Sequence, residues 1–307
     1  MDTPAIARAL VVVNPMARRN APRLLAELRA TAPSSVDWRI IETHPTSFGA
    51  GELESQAREV DVVVAVGGDG TVAETLTAIG SVPTPLAILP GGSTNVIAHE
   101  IGAPINPTAV GNLIFGQHEI RTMDAATCNG RMFLHMAGAG FDSRIFDQTD
   151  AALKRRAGWI AYLPGAAKSL RMPPARFHVR TDNAELDFVS PMVLVANGAG
   201  IVRPSMTVLP DITSNDGMLD MVAITATSGT QIAVVIAHFL TKSLQRSAHV
   251  LHVRTRQVWI ESEPPMPVQL DGDVMGTTPV EMAILPARAR MVVPVGKGAG
   301  RAKPTEA

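Results

Sequence analysis

The residues best suited to chemistry lie in the run VVAVGGDGTVAETLTAIG, positions 63–80. A branched apolar stretch ends in Gly67, Gly68, Asp69, Gly70 and Thr71, and a helix-forming stretch follows from near Val72. Glycines let a backbone turn sharply and approach a ligand closely. The amides of such a turn and of the helix start then face outward, which favours a phosphate. The run has neither the Lys-Ser/Thr of a Walker A loop nor GxGxxG spacing. A carboxylate inside a phosphate loop would repel the ligand. Asp69 therefore either acts with a cation such as Mg2+ or braces the loop by accepting amide hydrogen bonds. A tight turn without a ligand is the plain alternative, but three glycines around an Asp exceed what a turn needs.

A second loop of this kind follows in LAILPGGSTNVIAHEIG, positions 86–102, where strand, Pro90-Gly91-Gly92-Ser93-Thr94-Asn95 and helix come in order. Sequential βα units usually place such loops on one edge of a sheet, so both could face one ligand. Thr94 and Asn95 offer a hydroxyl and an amide there; capping the helix is their ordinary role. Asn14-Pro15 ends an earlier apolar run and adds a third loop, with Arg18 and Arg19 beyond it as phosphate partners or as a solvated face.

Residues 151–181 carry Lys154, Arg155, Arg156, Lys168, Arg171, Arg176 and Arg180 with Trp159 and Tyr162 among them, and no Asp or Glu. Such a surface could touch anionic lipid headgroups, or be a solvated helix with Trp159 in the core. His249 and His252 are three apart with no carboxylate or Cys close in sequence, which is a poor metal site.

The elements that position these residues fall into two patterns. Ala9–Val13, Trp38–Glu42, Asp61–Val66 and Leu86–Leu89 read as strands, with a helical stretch over Ala21–Thr31. Strands alternating with helices imply βαβ units and a parallel sheet. Beyond about Arg121 the pattern changes to short alternating runs. Strands are expected near 124–133, 177–181, 188–197, 218–224, 250–253, 257–261 and 266–270, with helices near 150–171 and 228–246. This second region is expected to be β-rich and antiparallel, and 296–307 a frayed Gly/Lys/Pro-rich tail.

Composition bounds the rest. At 307 residues, a prior of roughly 150 per domain gives about two domains. With 46% hydrophobic and 18% charged residues a sizeable core is available and global disorder is excluded. Lys and Arg number 27 against 28 Asp and Glu, so the basic excess of a nucleic-acid binder is missing. The single Cys128 excludes an internal disulfide and fits a reducing compartment. No secretory signal pattern opens the chain, and no apolar run approaches the ~20 residues that span a bilayer. A soluble, cytoplasmic protein is expected.

Taken together, the three loops resemble the diacylglycerol kinase catalytic-domain family, which includes bacterial lipid kinases and sphingosine kinases. The resemblance runs through most of the chain: Arg121-Thr122-Met123-Asp124, Phe133–Asp142 with His135 where Asn is more usual, Pro210–Asp220, and Leu270-Asp271-Gly272-Asp273. The Gly-Gly-Asp-Gly-Thr loop alone is shared with NAD kinases. The family implies an α/β N-terminal domain with a parallel sheet, NAD kinase/phosphofructokinase-like, over 1–122 and completed by 280–294. It also implies a β-rich sandwich over 123–279, with 295–307 as tail.

It implies ATP at Asn14, Thr43, the loop from Gly67 through Gly68, Asp69, Gly70 and Thr71 to Ala73, and Thr94. A structural Mg2+ falls to the Asp216 carboxylate with the main-chain carbonyls of Thr213 and Met218, oxygen donors suited to a hard cation. Asp124 matches a carboxylate of the active-site network. Asp273 stands where the family has its proposed general base, usually Glu, and is shorter by one methylene; Asp271 is its neighbouring competitor. The implied reaction moves the γ-phosphate of ATP to a lipid hydroxyl, with diacylglycerol the leading substrate and a sphingoid base the variant. The lipid would be met peripherally at the membrane surface, on the inner face. No nucleic-acid partner is expected, and a homodimer is compatible. An NAD kinase and a catalytically weak nucleotide- or lipid-sensing module are the rivals.

Overall fold

A computed structural model of the chain describes residues 6–14, 21–42, 52–92, 95–140, 173–198, 209 and 211–296. Of the residues singled out above, Thr43, Ser93, Thr94, Arg18, Arg19, Asp142, the helix expected near 150–171 with its basic residues, and the tail from 297 lie outside them. The chain divides into two compact units, one running to Asp124 and resuming at Ala287, the other running from Ala125 to Pro286.

The first unit alternates strands and helices: β1 Arg8–Val13, α1 Ala21–Arg29, β2 Asp37–Glu42, α2 Glu52–Arg58, β3 Val62–Gly67, α3 Asp69–Ala78, β4 Leu86–Pro90, α4 Val96–Glu100 and α5 Pro107–Phe115. The strands form a parallel sheet in the order β2-β1-β3-β4. Every residue of β3 and β4 is buried, as continuous apolar strands are when helices cover both faces of a sheet. Val11, Val64 and Ala87 pack with Leu28 of α1 and with Val110 and Ile114 of α5. α5, unforeseen in the sequence, has Pro107 in its first turn and Asn106 as cap, whose Oδ1 accepts from Thr108 N and Ala109 N.

The second unit is a sandwich, so both parts of the expected fold class are present. Its first sheet contains β8 Ala175–Thr181, β9 Glu185–Ser190, β13 Gln257–Glu263 and the first part of β16 Val280–Pro294, with β5 His118–Cys128 and β6 Arg131–Phe133 off the main path. The second sheet runs β12-β11-β10-β7-β14-β15, all antiparallel. Here β7 is Met136–Ala139, β10 Val193–Ala196, β11 Leu219–Ile224, β12 Val250–Thr255, β14 Pro267–Leu270 and β15 Asp273–Thr277. Phe177, Val179, Ile260 and Met282 of one sheet meet Val195, Met221 and Val268 of the other in a single core. Helix α6, Gly229–Leu240, lays Ile232 and Val235 against Leu194, Ala196 and Val222 on the outer face of the second sheet.

Several boundaries differ from the sequence reading. The run 188–197 is two strands, β9 and β10, in different sheets, because Pro191 offers no N–H to a ladder. The helix near 228–246 stops at Leu240 and leaves only a 3-10 turn at Leu244–Arg246. The unit boundaries fall after Asp124 and Pro286 rather than after 122 and 279. The reason lies in β16: Val280–Ala283 pairs with β13, whereas Met291 pairs with Leu86 of β4.

Candidate functional site

In the first unit, the order β2-β1-β3-β4 reverses the direction of travel between β1 and β3. Ligands of open α/β sheets bind outside the carboxyl ends of the strands at such a switch. Asn14 follows β1 there, with its N–H bonded to Val66 O at 3.4 Å, and Gly67-Gly68-Asp69 leads from β3 into α3. Pro90-Gly91-Gly92 lies alongside, since Gly67 is the register partner of Pro90. The topology thus brings the three sequence-defined loops to one edge.

The glycines are needed for a reason the sequence reading did not give. Gly91 N donates to Gly67 O at 2.7 Å, so the two loops are joined backbone to backbone. A Cβ on Gly92 would lie 2.7 Å from Gly68 Cα, and one on Gly91 3.2 Å from Gly67 Cα. The loops pack as bare chains, and neither glycine has the positive φ that would need it for a turn. Asn95, at φ 48°, fastens the second loop: Oδ1 accepts from Gly92 N and Nδ2 donates to Gly92 O, both at 2.9 Å.

Asp69 is buried as the first residue of α3, earlier than the expected start near Val72. Its two oxygens accept from Val96 N and Ile97 N, each at 3.0 Å, at the start of α4. Of the two roles left open for Asp69, these contacts are the bracing one. The first amides of α4 are thereby used internally. Gly68, the residue before α3, has no side chain with which to cap it, whereas Asn106 caps α5 and Ser228 caps α6. Gly68 and Gly70 are half-buried and Thr71 is buried.

Asp124 is 3% exposed and its Oδ1 accepts from Ala287 N at 2.7 Å, where the backbone turns through φ 51°. Its observed contact therefore fixes the bend in β16.

In the second unit, Asp271 and Asp273 separate clearly. Asp271 Oδ2 accepts from Leu134 N at 2.8 Å, and Oδ1 accepts from His135 N at 3.0 Å and Met136 N at 2.9 Å. Three fixed amide donors occupy this carboxylate, so it braces the backbone of residues 134–136. The braced segment is also held by Asn197, whose Nδ2 donates to Leu134 O at 2.6 Å. Asp273 opens the edge strand β15 and is exposed to solvent. His135 is buried, and its main chain rather than its ring makes these contacts.

Thr213, Asp216 and Met218 share one loop. Asp216 Oδ2 accepts from Thr213 Oγ1 at 3.0 Å and from Arg254 Nη2 at 2.5 Å, while Oδ1 accepts from Met218 N at 3.1 Å. A carboxylate with two main-chain carbonyls would be a donor set of the kind a hard cation takes; the contacts seen are with the Thr213 hydroxyl and the Met218 N–H, and Arg254 is the positive charge on that carboxylate here. Among the described residues no three His, Cys, Asp or Glu cluster for a metal.

No local motif marks Arg254, because Asp220 and Arg254 face each other only through the β11–β12 register. The same strand pair gives His252, which has no carboxylate close in sequence, one in space: its Nε2 lies 2.6 Å from Asp220 Oδ1. Of the basic stretch, Arg180 places its guanidinium 4.2 Å from the centre of the Trp259 ring on β13.

Two family models match the chain: the diacylglycerol kinase catalytic domain over residues 8–128 and the YegS C-terminal NAD kinase beta sandwich-like domain over residues 135–293. A Pseudomonas aeruginosa (strain UCBPP-PA14) protein named "Probable lipid kinase YegS-like" is 30% identical over 94% of this chain and 91% of its own length. The diacylglycerol kinase of Bacillus subtilis (strain 168) is 26% identical over 83% of this chain and 86% of its own. An uncharacterized Synechocystis protein, sll0036, is 27% identical over 84% of this chain, which spans 58% of that longer protein. A crystal structure from Bacillus anthracis str. Sterne superposes with a TM-score of 0.72 at 25% identity, covering 96% of this chain and 97% of the other.

Proposed function

Since this chain belongs to the diacylglycerol kinase catalytic-domain family of lipid kinases, with a YegS-type C-terminal sandwich domain, we propose that it moves the γ-phosphate of ATP to a lipid hydroxyl, with diacylglycerol as substrate and phosphatidic acid as product. The observation that carries this reading is the pair of glycine loops, joined by the Gly91–Gly67 backbone bond and by Asp69, beside the start of α3. Phosphoryl transfer asks the protein mainly for position and charge stabilisation. The loop amides supply both for the phosphates, with Asn14, Gly67, Gly68, Gly70 and Thr71 as contacts and Thr43 and Thr94 as partners carried by family resemblance.

In the transfer, the lipid oxygen bonds to the γ-phosphorus as the bond to the β–γ bridging oxygen breaks, and ADP leaves. The hydroxyl proton must pass to a base as the new bond forms. Asp273 is assigned that role because it is exposed while Asp271 is occupied by three amides. Asp124 supports the network by holding Ala287. Mg2+ would neutralise charge on the phosphates, and a second, structural ion would be held by Thr213, Asp216 and Met218. No helix among the described residues is long and apolar enough to cross a membrane; the enzyme would meet its lipid peripherally, at the inner face.

The test is a substrate panel with γ-labelled ATP and Mg2+: diacylglycerol, a sphingoid base and an extracted lipid pool in detergent micelles, beside NAD. Label in phosphatidic acid is expected. Label in NAD alone would make the chain an NAD kinase, and ATP binding without any labelled product would make it a sensing module.

A further inference from the structure

The outer helix α6 has a composition that its position does not explain. Its twelve residues, GTQIAVVIAHFL, contain no Asp, Glu, Lys or Arg. A helix that is apolar all round is normally buried, and one lying on a surface normally carries charge on its outer face. Ile232 and Val235 do pack inward, yet Val234 is 44% and Leu240 45% exposed. Ala233 and Ala237 are exposed as well, and the spacing 233, 237, 240 puts them with Leu240 on one side. An uncharged outward stripe therefore runs along a helix of roughly 18 Å.

Where the stripe ends, the charge is all of one sign. From Met221 to Ile260 the sequence holds no Asp or Glu, while Lys242, Arg246, Arg254 and Arg256 are present. Arg254 is committed to Asp216 and Asp220, but Lys242 and Arg246 are exposed just past the helix. Lys242 sits at φ 52°, where its N–H donates to Phe239 O and the next amide, Ser243 N, to His238 O. In this helix-ending turn glycine is the unstrained residue, and the chain carries a lysine there instead.

We propose that the outward face of α6, with Lys242 and Arg246, is the surface by which this protein docks on a bilayer of anionic phospholipid. The apolar stripe would enter the boundary between headgroups and acyl chains, and the two cations would pair with lipid phosphates. This goes beyond the kinase reading by naming the element that meets the membrane, and it rests on that reading only for its purpose.

The test is sedimentation with vesicles of phosphatidylcholine alone or mixed equally with phosphatidylglycerol, without nucleotide, so the outcome does not depend on turnover. Wild type should sediment with the anionic vesicles and at least tenfold more weakly with the neutral ones. Lys242→Gly with Arg246→Gln should lose about thirtyfold on anionic vesicles, at roughly 1 kcal/mol per cation near the surface. Val234→Ser with Leu240→Ser should weaken binding by a similar factor. Both pairs change exposed side chains, and Gly relieves the backbone at 242, so thermal melts should stay near wild type. Kinase activity on short-chain substrate in micelles should also be unchanged if the kinase reading holds; absence of all turnover would remove that reading and leave the sedimentation result standing. Equal binding to both vesicle types, or variants that sediment like wild type, would overturn the proposal. So would a dimer that the serine variants dissociate while vesicle binding is kept.

Discussion

Asp271 and Asp273 differ by two positions and belong to different physical problems. Asp271 holds the backbone of Leu134, His135 and Met136, so Asp271→Asn turns an amide NH2 toward donors that need an acceptor. Leaving such donors unsatisfied costs on the order of 1–3 kcal/mol each, and a clearly lower urea midpoint is expected. Cys128 gives a pH signature. Burial pushes its thiol up to about 11, above the ~8.5 of a free thiol. The folded chain keeps its proton where the unfolded chain loses it, so this contribution is complete below about pH 8.5 and is lost as pH rises toward about 11. The urea midpoint of wild type should therefore fall more steeply between neutral pH and about pH 10 than that of Cys128→Ala. Parallel slopes would show the thiol to be accessible.

At the level of elements, the glycine loops are a close-packed pair, and this makes Gly92→Ala a sharp probe. Its Cβ would meet Gly68 Cα at 2.7 Å and Asn95 Oδ1 at 2.9 Å, and backbone cannot move aside as a flexible side chain can. A loss of about 1–3 kcal/mol in stability is expected from such overpacking, with ATP affinity, read by calorimetry, falling with it. Gly229→Ala, with nothing within 4 Å, should melt like wild type.

The strands that carry these loops were legible in the sequence because a parallel strand buried on both faces is a continuous apolar run, as in Ala9–Val13 and Asp61–Val66. The glycine loops were legible as a local pattern, but their mutual contact was not, since nothing in either loop names the other. The same holds for the grip of Asp271 on residue 134, of Asp124 on Ala287, and of Arg254 on Asp216: each joins positions separated by 38 to 163 residues. Strands β7 and β15 escaped notice because a short Gly/Ala-rich run and an exposed edge lack the alternation that marks a half-buried strand.

For the whole molecule, the proposed chemistry is divided between two separately cored units. On that reading the α/β unit would offer loop amides to the phosphates, and the sandwich unit would offer the Asp273 carboxylate and the Asp216 loop. The chain passes from one to the other within β5 and β16, and β16 pairs with β13 by its first part and with β4 by its second. Loss of phosphate binding and loss of proton transfer should accordingly be separable by mutation. The most direct measurement is the rate of phosphate transfer from γ-labelled ATP to diacylglycerol in micelles by wild type and Asp273→Asn, alongside ATP affinity and thermal melts. Labelled phosphatidic acid from wild type is expected, with kcat lower by about 10²-fold or more in the variant, the range for loss of a general base, and with ATP affinity and melting unchanged. Wild-type turnover by Asp273→Asn, or no lipid labelled by either protein, would contradict it.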